Sequence, residues 1–207
     1  MTPKTLTRDS LNLIIVGVAG QGNVVISMLV CDTLVRRGYQ VTFGQTYPAQ
    51  QRGGSVVNYI RVSAETECSP LIPYGCADAI LGMEPVETLR LLAQYGNADT
   101  ITIVNPRPIY SIDIGLGTLA DYPDPDKLLE AIKSLSAKTW VINATEEAQK
   151  LGNPILANVI LTGSLIATGI LPFDVEALKP SLLERFPEHF KANLAALQRG
   201  IELMQQY

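Results

Sequence analysis

A chain of 207 residues, 47% hydrophobic and 17% charged, is long enough for one substantial domain and short for two. Its 16 Lys and Arg against 20 Asp and Glu give a net charge of −4. No basic run is long enough to track a polyanion, which argues against a nucleic-acid partner.

The first apolar run starts at Leu11 and flows straight into a glycine turn, which is not the layout of a leader peptide. Positions 13–16 are continuously apolar, as in a strand buried on both faces. A helix is expected over 23–37, ended by Gly38, then strands over 40–44, 55–62 and 79–83. A helix over 84–95 stops at Gly96. Strands over 100–105 and 139–143 flank a helix over 126–135. Strand and helix alternate throughout this part, which predicts an α/β domain with a mostly parallel sheet covered by helices. The last third reads as helical, over 153–171 and 180–207, with breaks at Pro172 and Phe186-Pro187. There Phe190, Leu194, Leu197, Ile201 and Met204 form one apolar stripe. The expectation is a single domain over 1–207 with a helical C-terminal appendage. The apolar stretch 155–171 holds Asn158, Thr162, Ser164 and Thr168, too polar and too short for a membrane span. Small residues in it, Ala157, Gly163, Ser164 and Ala167, suit close approach of a second helix, with core packing the plainest account. Three cysteines, Cys31, Cys68 and Cys76, stand at unrelated spacings and fit a reducing cytoplasm better than a disulfide framework.

The turn Gly17–Gly22 (GVAGQG) has the look of a phosphate cradle. The dinucleotide fingerprint, however, wants Gly-x-Gly-x-x-Gly and a carboxylate about 20 residues on. Here Ala19 occupies the middle glycine position, and the second strand ends in Phe43-Gly44-Gln45-Thr46. Both departures favour a close-packing turn over a bound NAD or FAD. Gly20, Gln21 and Gly22 still present a helix N-terminus to an anion. The helix that follows is apolar on nearly every side, which points to burial on more than one face, one against the sheet and the other against the C-terminal helices or a second protein, a first sign of an obligate partner.

Gln50–Ser55 (QQRGGS) is the more unusual stretch. Adjacent Gly53 and Gly54 let backbone amides turn towards an anion, Arg52 can clamp a phosphate or carboxylate, and Ser55 adds a hydroxyl. Glu84 and Glu87, beside Pro85, read as helix-capping carboxylates. No P-loop lysine motif or nucleophile elbow is present. The lone His189 leaves little room for a hydrolytic triad, and the cysteine spacing supplies no iron–sulfur ligands. No catalytic residue is assigned. By its residues alone, the chain is an α/β domain without a self-sufficient active site.

The ordered motifs GVAGQG, QRGGSV, SPLIPYGCADAILGMEPVETLR and Val104-Asn105, followed by the helix opening at Asn153, resemble the γ-type subunits of 2-oxoacid:ferredoxin oxidoreductases. The resemblance is nearest to the smaller subunit of the indolepyruvate type. It implies a Rossmann-like domain that binds no cofactor alone, in a hetero-oligomer with a large subunit carrying thiamine diphosphate and iron–sulfur clusters. The implied reaction decarboxylates an aryl 2-oxoacid oxidatively, with coenzyme A as co-substrate and ferredoxin as electron acceptor. Gln45, Tyr47 and Pro48 depart from the indolepyruvate pattern, so the equivalent pyruvate and 2-oxoglutarate subunits stay open. So do a free-standing nucleotide-binding regulator using Gly20–Gly22, and a homodimer of the isolated chain.

Overall fold

The computed structural model describes residues 6, 8–46, 54–110 and 122–207. Six strands build one sheet in the order β2-β3-β1-β4-β5-β6. They are β1 (Leu11–Val18), β2 (Gln40–Thr46), β3 (Ser55–Ser63), β4 (Ala79–Gly82), β5 (Ile101–Val104) and β6 (Lys138–Val141). β1 pairs in parallel with β4, β4 with β5, and β5 with β6. β3 runs antiparallel to both of its neighbours, β1 and β2. The residues 47–54 that join β2 to β3 are too few for the crossover of a dozen or more that parallel pairing requires.

Side chains of β1 alternate between two cores, as strand geometry demands. Leu11, Leu13 and Ile15 join one cluster, and Ile14 and Val16 join the other. The first is closed by helices α1 (Asn23–Arg36), α5 (Ala157–Ala167), α6 (Val175–Arg185) and α7 (Phe190–Met204), through Ile26, Leu29, Leu34, Leu165, Leu182 and Leu197. The second is closed by α2 (Pro85–Tyr95) and α3 (Pro125–Ser134), through Leu91, Leu92 and Ile132. The C-terminal helices are therefore one of the two layers that cover the sheet. Packing of α1 on a second side comes from the same chain, because α6 and α5 lie against it; only positions such as Val35, 58% exposed, face outwards.

Three helical boundaries differ from expectation. A short helix α4 (Ala144–Lys150) follows β6. Its Asn143 cap accepts from the Glu146 amide at 3.2 Å and donates to the Glu146 carboxylate at 2.9 Å, a local signal that seven residues are too short to show as periodicity. α5 follows a 3-10 turn at Pro154–Leu156 and ends early, before Gly169 at φ +77°. α6 begins ahead of Pro180, because the Asp174 carboxylate caps the Ala177 amide at 3.1 Å. Pro180 then sits inside the helix.

The small residues of α5 seat α7. A Cβ on Gly163 would stand 2.1 Å from the Leu197 carbonyl oxygen, and one on Gly200 would stand 1.9 Å from that of Ile160. Between them the Ser164 hydroxyl donates to the Gly200 carbonyl at 3.0 Å. Among the described residues no helix is long and apolar enough to cross a membrane.

Candidate functional site

The sheet reverses direction of growth at β1. The chain first builds β2 and β3 on one side of it, then β4, β5 and β6 on the other. In open α/β sheets the crevice for ligands lies at such a switch point, beyond the carboxyl ends of the strands. Here that place is the fork between β1 and β4, and the turn Gly17–Gly22 sits on it.

The turn is filled by its own glutamine. Gln21 Oε1 accepts from the Val18 amide at 2.7 Å, and Gln21 Nε2 donates to the Met83 carbonyl at 2.9 Å. One carboxamide thus ties the end of β1 to the residue after β4. Gly17 has no room for a side chain: a Cβ there would meet Gln21 Oε1 at 2.6 Å and Met83 Cβ at 3.0 Å. Gly22 has φ +79°, and a Cβ on it would stand 2.1 Å from Asn158 Nδ2. α1 begins at this glycine with no side-chain cap. Close packing accounts for each of these features.

Beside the turn lies a cavity of about 250 Å3, bordered by Gly20, Gln21 and Gly22, by Met83 and Asn105 beyond β4 and β5, and by Asn158 and Leu161 of α5. Asn105 is 2% exposed and Asn158 is 6% exposed. The Asn105 amide group donates to the Met83 carbonyl at 3.3 Å and to Thr145 Oγ1 at 3.0 Å. That of Asn158 donates to the Gln21 carbonyl at 3.3 Å. Their Oδ1 atoms are buried and accept nothing. Leaving a buried acceptor unsatisfied costs about 1–3 kcal/mol; Asn58 of β3, away from this cavity, likewise has a buried carboxamide without a partner. Sequence reasoning used Asn105 and Asn158 only as landmarks. The available signal was a lone carboxamide in an otherwise apolar run, which carries no spacing to search for.

Arg107 and Thr145 also border a second, more open cavity of about 570 Å3, beyond β5 and β6, whose rim includes Asp126 and Glu146. Arg107 is exposed and makes no hydrogen bond or ion pair with any described residue.

Gly20, Gln21 and Gly22 therefore stand together at the crevice. Gly54 joins them through its backbone, for its carbonyl accepts from the Ala19 amide at 2.9 Å. Arg52 and Gly53 lie outside the described residues. Ser55 is turned to the opposite side, where its hydroxyl donates to the Glu87 carboxylate and accepts from Arg90 at 2.7 Å. Arg90 completes the triangle with a 2.6 Å bond to Glu87. The Ser55 hydroxyl is thereby committed within the fold.

Glu84 is a buried helix cap, accepting from the Glu87 amide at 2.8 Å and from the Tyr122 hydroxyl. Burial pushes its carboxyl above the usual range, against the opposing pull of those two bonds. Burial likewise pushes the Cys31 thiol up to about 12, which rules it out as a nucleophile at neutral pH. Among the described residues no group of three or more His, Cys, Asp or Glu side chains is placed to share a metal ion.

Fold and site together define an open α/β domain whose polar groups build a turn and line a crevice. The chain belongs to the pyruvate ferredoxin/flavodoxin oxidoreductase family, whose model matches residues 12–203, and is thus an oxidoreductase subunit. It is 34% identical to the indolepyruvate oxidoreductase subunit IorB of Archaeoglobus fulgidus, over 92% of this chain and 93% of that one. To IorB of Thermococcus kodakarensis it is 32% identical, over 92% and 94%. Its fold is shared with the pyruvate oxidoreductase subunit PORC of Thermotoga maritima, at a TM-score of 0.67 and 22% identity, covering 94% of this chain and 97% of that one. It is shared too with part of the 2-oxoglutarate:ferredoxin oxidoreductase of Magnetococcus marinus, solved with 2-oxoglutarate, coenzyme A and succinyl-CoA bound. There the TM-score is 0.74 at 17% identity, over 97% of this chain and 32% of that one.

Proposed function

We propose that this chain is the smaller, thiamine-free subunit of a complex that oxidatively decarboxylates an aryl 2-oxoacid of the indolepyruvate kind. The acyl group passes to coenzyme A and the electrons to ferredoxin. One observation carries the reading: the relatives named as indolepyruvate oxidoreductase subunits align along more than nine-tenths of both chains. The described residues agree with it, for the polar groups around the β1–α1 turn are engaged in holding strands together. A large partner subunit supplies thiamine diphosphate and the iron–sulfur clusters, and with them the bond-breaking chemistry.

The contribution of this chain is then to bind and to position. Arg52, with the amides of Gly53 and Gly54, forms a clamp for a phosphate of coenzyme A. The Gly54 carbonyl, anchored on the Ala19 amide, fixes one end of that clamp against the turn Gly20–Gly22. The α1 N-terminus adds favourable field for an anion held there.

Coexpression with the large subunit tests the reading. The expected result is an equimolar assembly that reduces a viologen dye with indolepyruvate, dependent on thiamine diphosphate, and faster than with pyruvate or 2-oxoglutarate. A preference for either of those acids sinks the aryl assignment. Tight binding of NAD, FAD or ATP by the isolated chain in calorimetry would favour a nucleotide-binding regulator instead. Within the complex, Arg52→Ala is expected to raise the coenzyme A concentration for half-maximal rate by about tenfold. An unchanged coenzyme A dependence removes the clamp.

A further inference from the structure

We infer that the face formed by α1 and β2 is an interface at which two copies of this chain meet about a two-fold axis. A groove of about 410 Å3 runs there between helix and strand, lined by the apolar side chains of Met28, Cys31, Val35, Val41 and Phe43. Val35 stands on its lip, 58% exposed. Groove and lip make one apolar patch rather than scattered exposed residues, and such patches mark interaction surfaces. The two ends of the sheet point the same way. β6 is four residues long and opens with Lys138. Its last carbonyl, that of Val141, accepts from the Tyr207 hydroxyl at 2.6 Å. A short strand, a lysine and a covering side chain are ordinary defences of a sheet edge. β2 ends the other side of the described sheet. It is seven residues long (QVTFGQT) and holds neither a charge nor a proline. An undefended edge beside an apolar groove fits a face that is covered in the assembled protein.

Charge decides what covers it. Among the described lining residues the charged ones are Asp32 and Arg36, both exposed. They stand one turn apart on α1, where residues i and i+4 are neighbours. Their charges cancel, so the groove itself is neutral although the chain carries a net charge of −4. A two-fold axis crossing α1 between them runs the helices of the two copies antiparallel. Each Asp32 then faces the Arg36 of the other copy, and one carboxylate–guanidinium pair is made twice. Arg36 already bonds to Glu184 of α6, and a guanidinium with five N–H donors accommodates a second carboxylate. Val35 and the two grooves close into one apolar seam beside these pairs. A face that supplies both halves of its own contact fits a second copy. An unrelated subunit would have to bring the matching order of charges itself.

Sedimentation velocity of the full-length chain, from micromolar to submillimolar concentration, tests the interface. The expected result is a monomer–dimer equilibrium with a micromolar dissociation constant. Val35→Glu brings two carboxylates into the seam and is expected to weaken the dimer by at least about tenfold. Asp32→Arg and Arg36→Asp each set like charges opposite one another and are expected to weaken it by about tenfold. The double exchange is expected to recover affinity to within about threefold of the parent. Recovery by the exchanged pair is a result that damaged folding does not produce. Leu183→Glu, at an exposed apolar position on α6, is the control and should leave association unchanged. A parent chain that stays monomeric overturns the interface. So does a dimer indifferent to Val35→Glu, or a double exchange no tighter than the single ones. If the parent is monomeric and Val35→Glu instead abolishes assembly with the large subunit, that subunit covers the face and the second copy is ruled out. Viologen reduction by the coexpressed complex is a separate readout. A small subunit that stays monomeric yet forms an active complex removes this interface and leaves the proposed function standing.

Discussion

The helix α5 takes part in two regions that obey opposite rules. Towards α7 it forms a seam with no spare room: Gly163 and Gly200 each admit a carbonyl oxygen where a side chain would otherwise stand, and Ser164 spends its hydroxyl on the partner helix. Towards the strand ends, the same helix carries Asn158 into the wall of a cavity and leaves its oxygen unsatisfied. The first arrangement is what stability alone selects. The second costs stability, and such a cost persists where a site needs it. One helix thus serves as core on one face and as the wall of a cavity on another.

That contrast can be broken most directly at the seam. Gly200→Leu forces a side chain into the Ile160 backbone and is expected to destabilise the chain by about 3 kcal/mol or more, read as a lowered urea midpoint. A midpoint within error of the parent would show that the seam is looser than these contacts require. On the crevice side, Gln21→Leu keeps the apolar bulk but removes the carboxamide that pairs with the Val18 amide and one of the two donors, Gln21 and Asn105, to the Met83 carbonyl. The expected cost is about 1–2 kcal/mol, smaller because the turn is partly open to water. A loss equal to that of Gly200→Leu would mean that both regions are packed alike.

The smallest effect is electrostatic and joins the two regions. Glu147 of α4, beside the crevice residue Thr145, accepts from Arg199 of α7 at 2.7 Å and from Lys150 at 2.8 Å. Hydrogen bonds from Lys150 and Arg199 hold its carboxyl below the ordinary value of 4.5. A carboxyl that ionises more readily in the folded state stabilises the fold above its unfolded value, and the gain is lost as pH falls through the depressed one. Glu147→Gln should therefore lower stability by less than about 1 kcal/mol at pH 7. The difference from the parent should shrink towards zero on acidification below 4.5. A difference that grows on acidification would reverse the sign of this argument.

Much of the architecture can be read from apolar runs and punctuation. The continuous run in β1, the glycine stops at Gly38 and Gly96, and the alternation of strand and helix suffice for a largely parallel sheet. The direction of β3 is less visible, since a buried antiparallel strand has the same β-branched composition as a parallel one; the short link before it was the usable clue. α4 escaped because its evidence is one capping asparagine. The role of the first glycine turn was legible from its spacing and from the missing carboxylate after β2, and Gln21 supplies the physical reason. The crevice was not legible. Asn158 lies about fifty residues beyond Asn105 and Arg107, the three follow no period, and they become a set only when β5 and α5 meet at the end of β1.

The hydrogen bond from the Ala19 amide to the Gly54 carbonyl ties the turn after β1 to the residue just ahead of β3. The Ala19 amide proton is consequently a spectroscopic probe already in place. On the proposed function, coenzyme A held at Arg52 and Gly53 is expected to shift the Ala19 resonance, with no label near the ligand itself. Its exchange with solvent deuterium reports the stiffness of the same linkage, so one backbone proton can distinguish a clamp that tightens from one that merely fills.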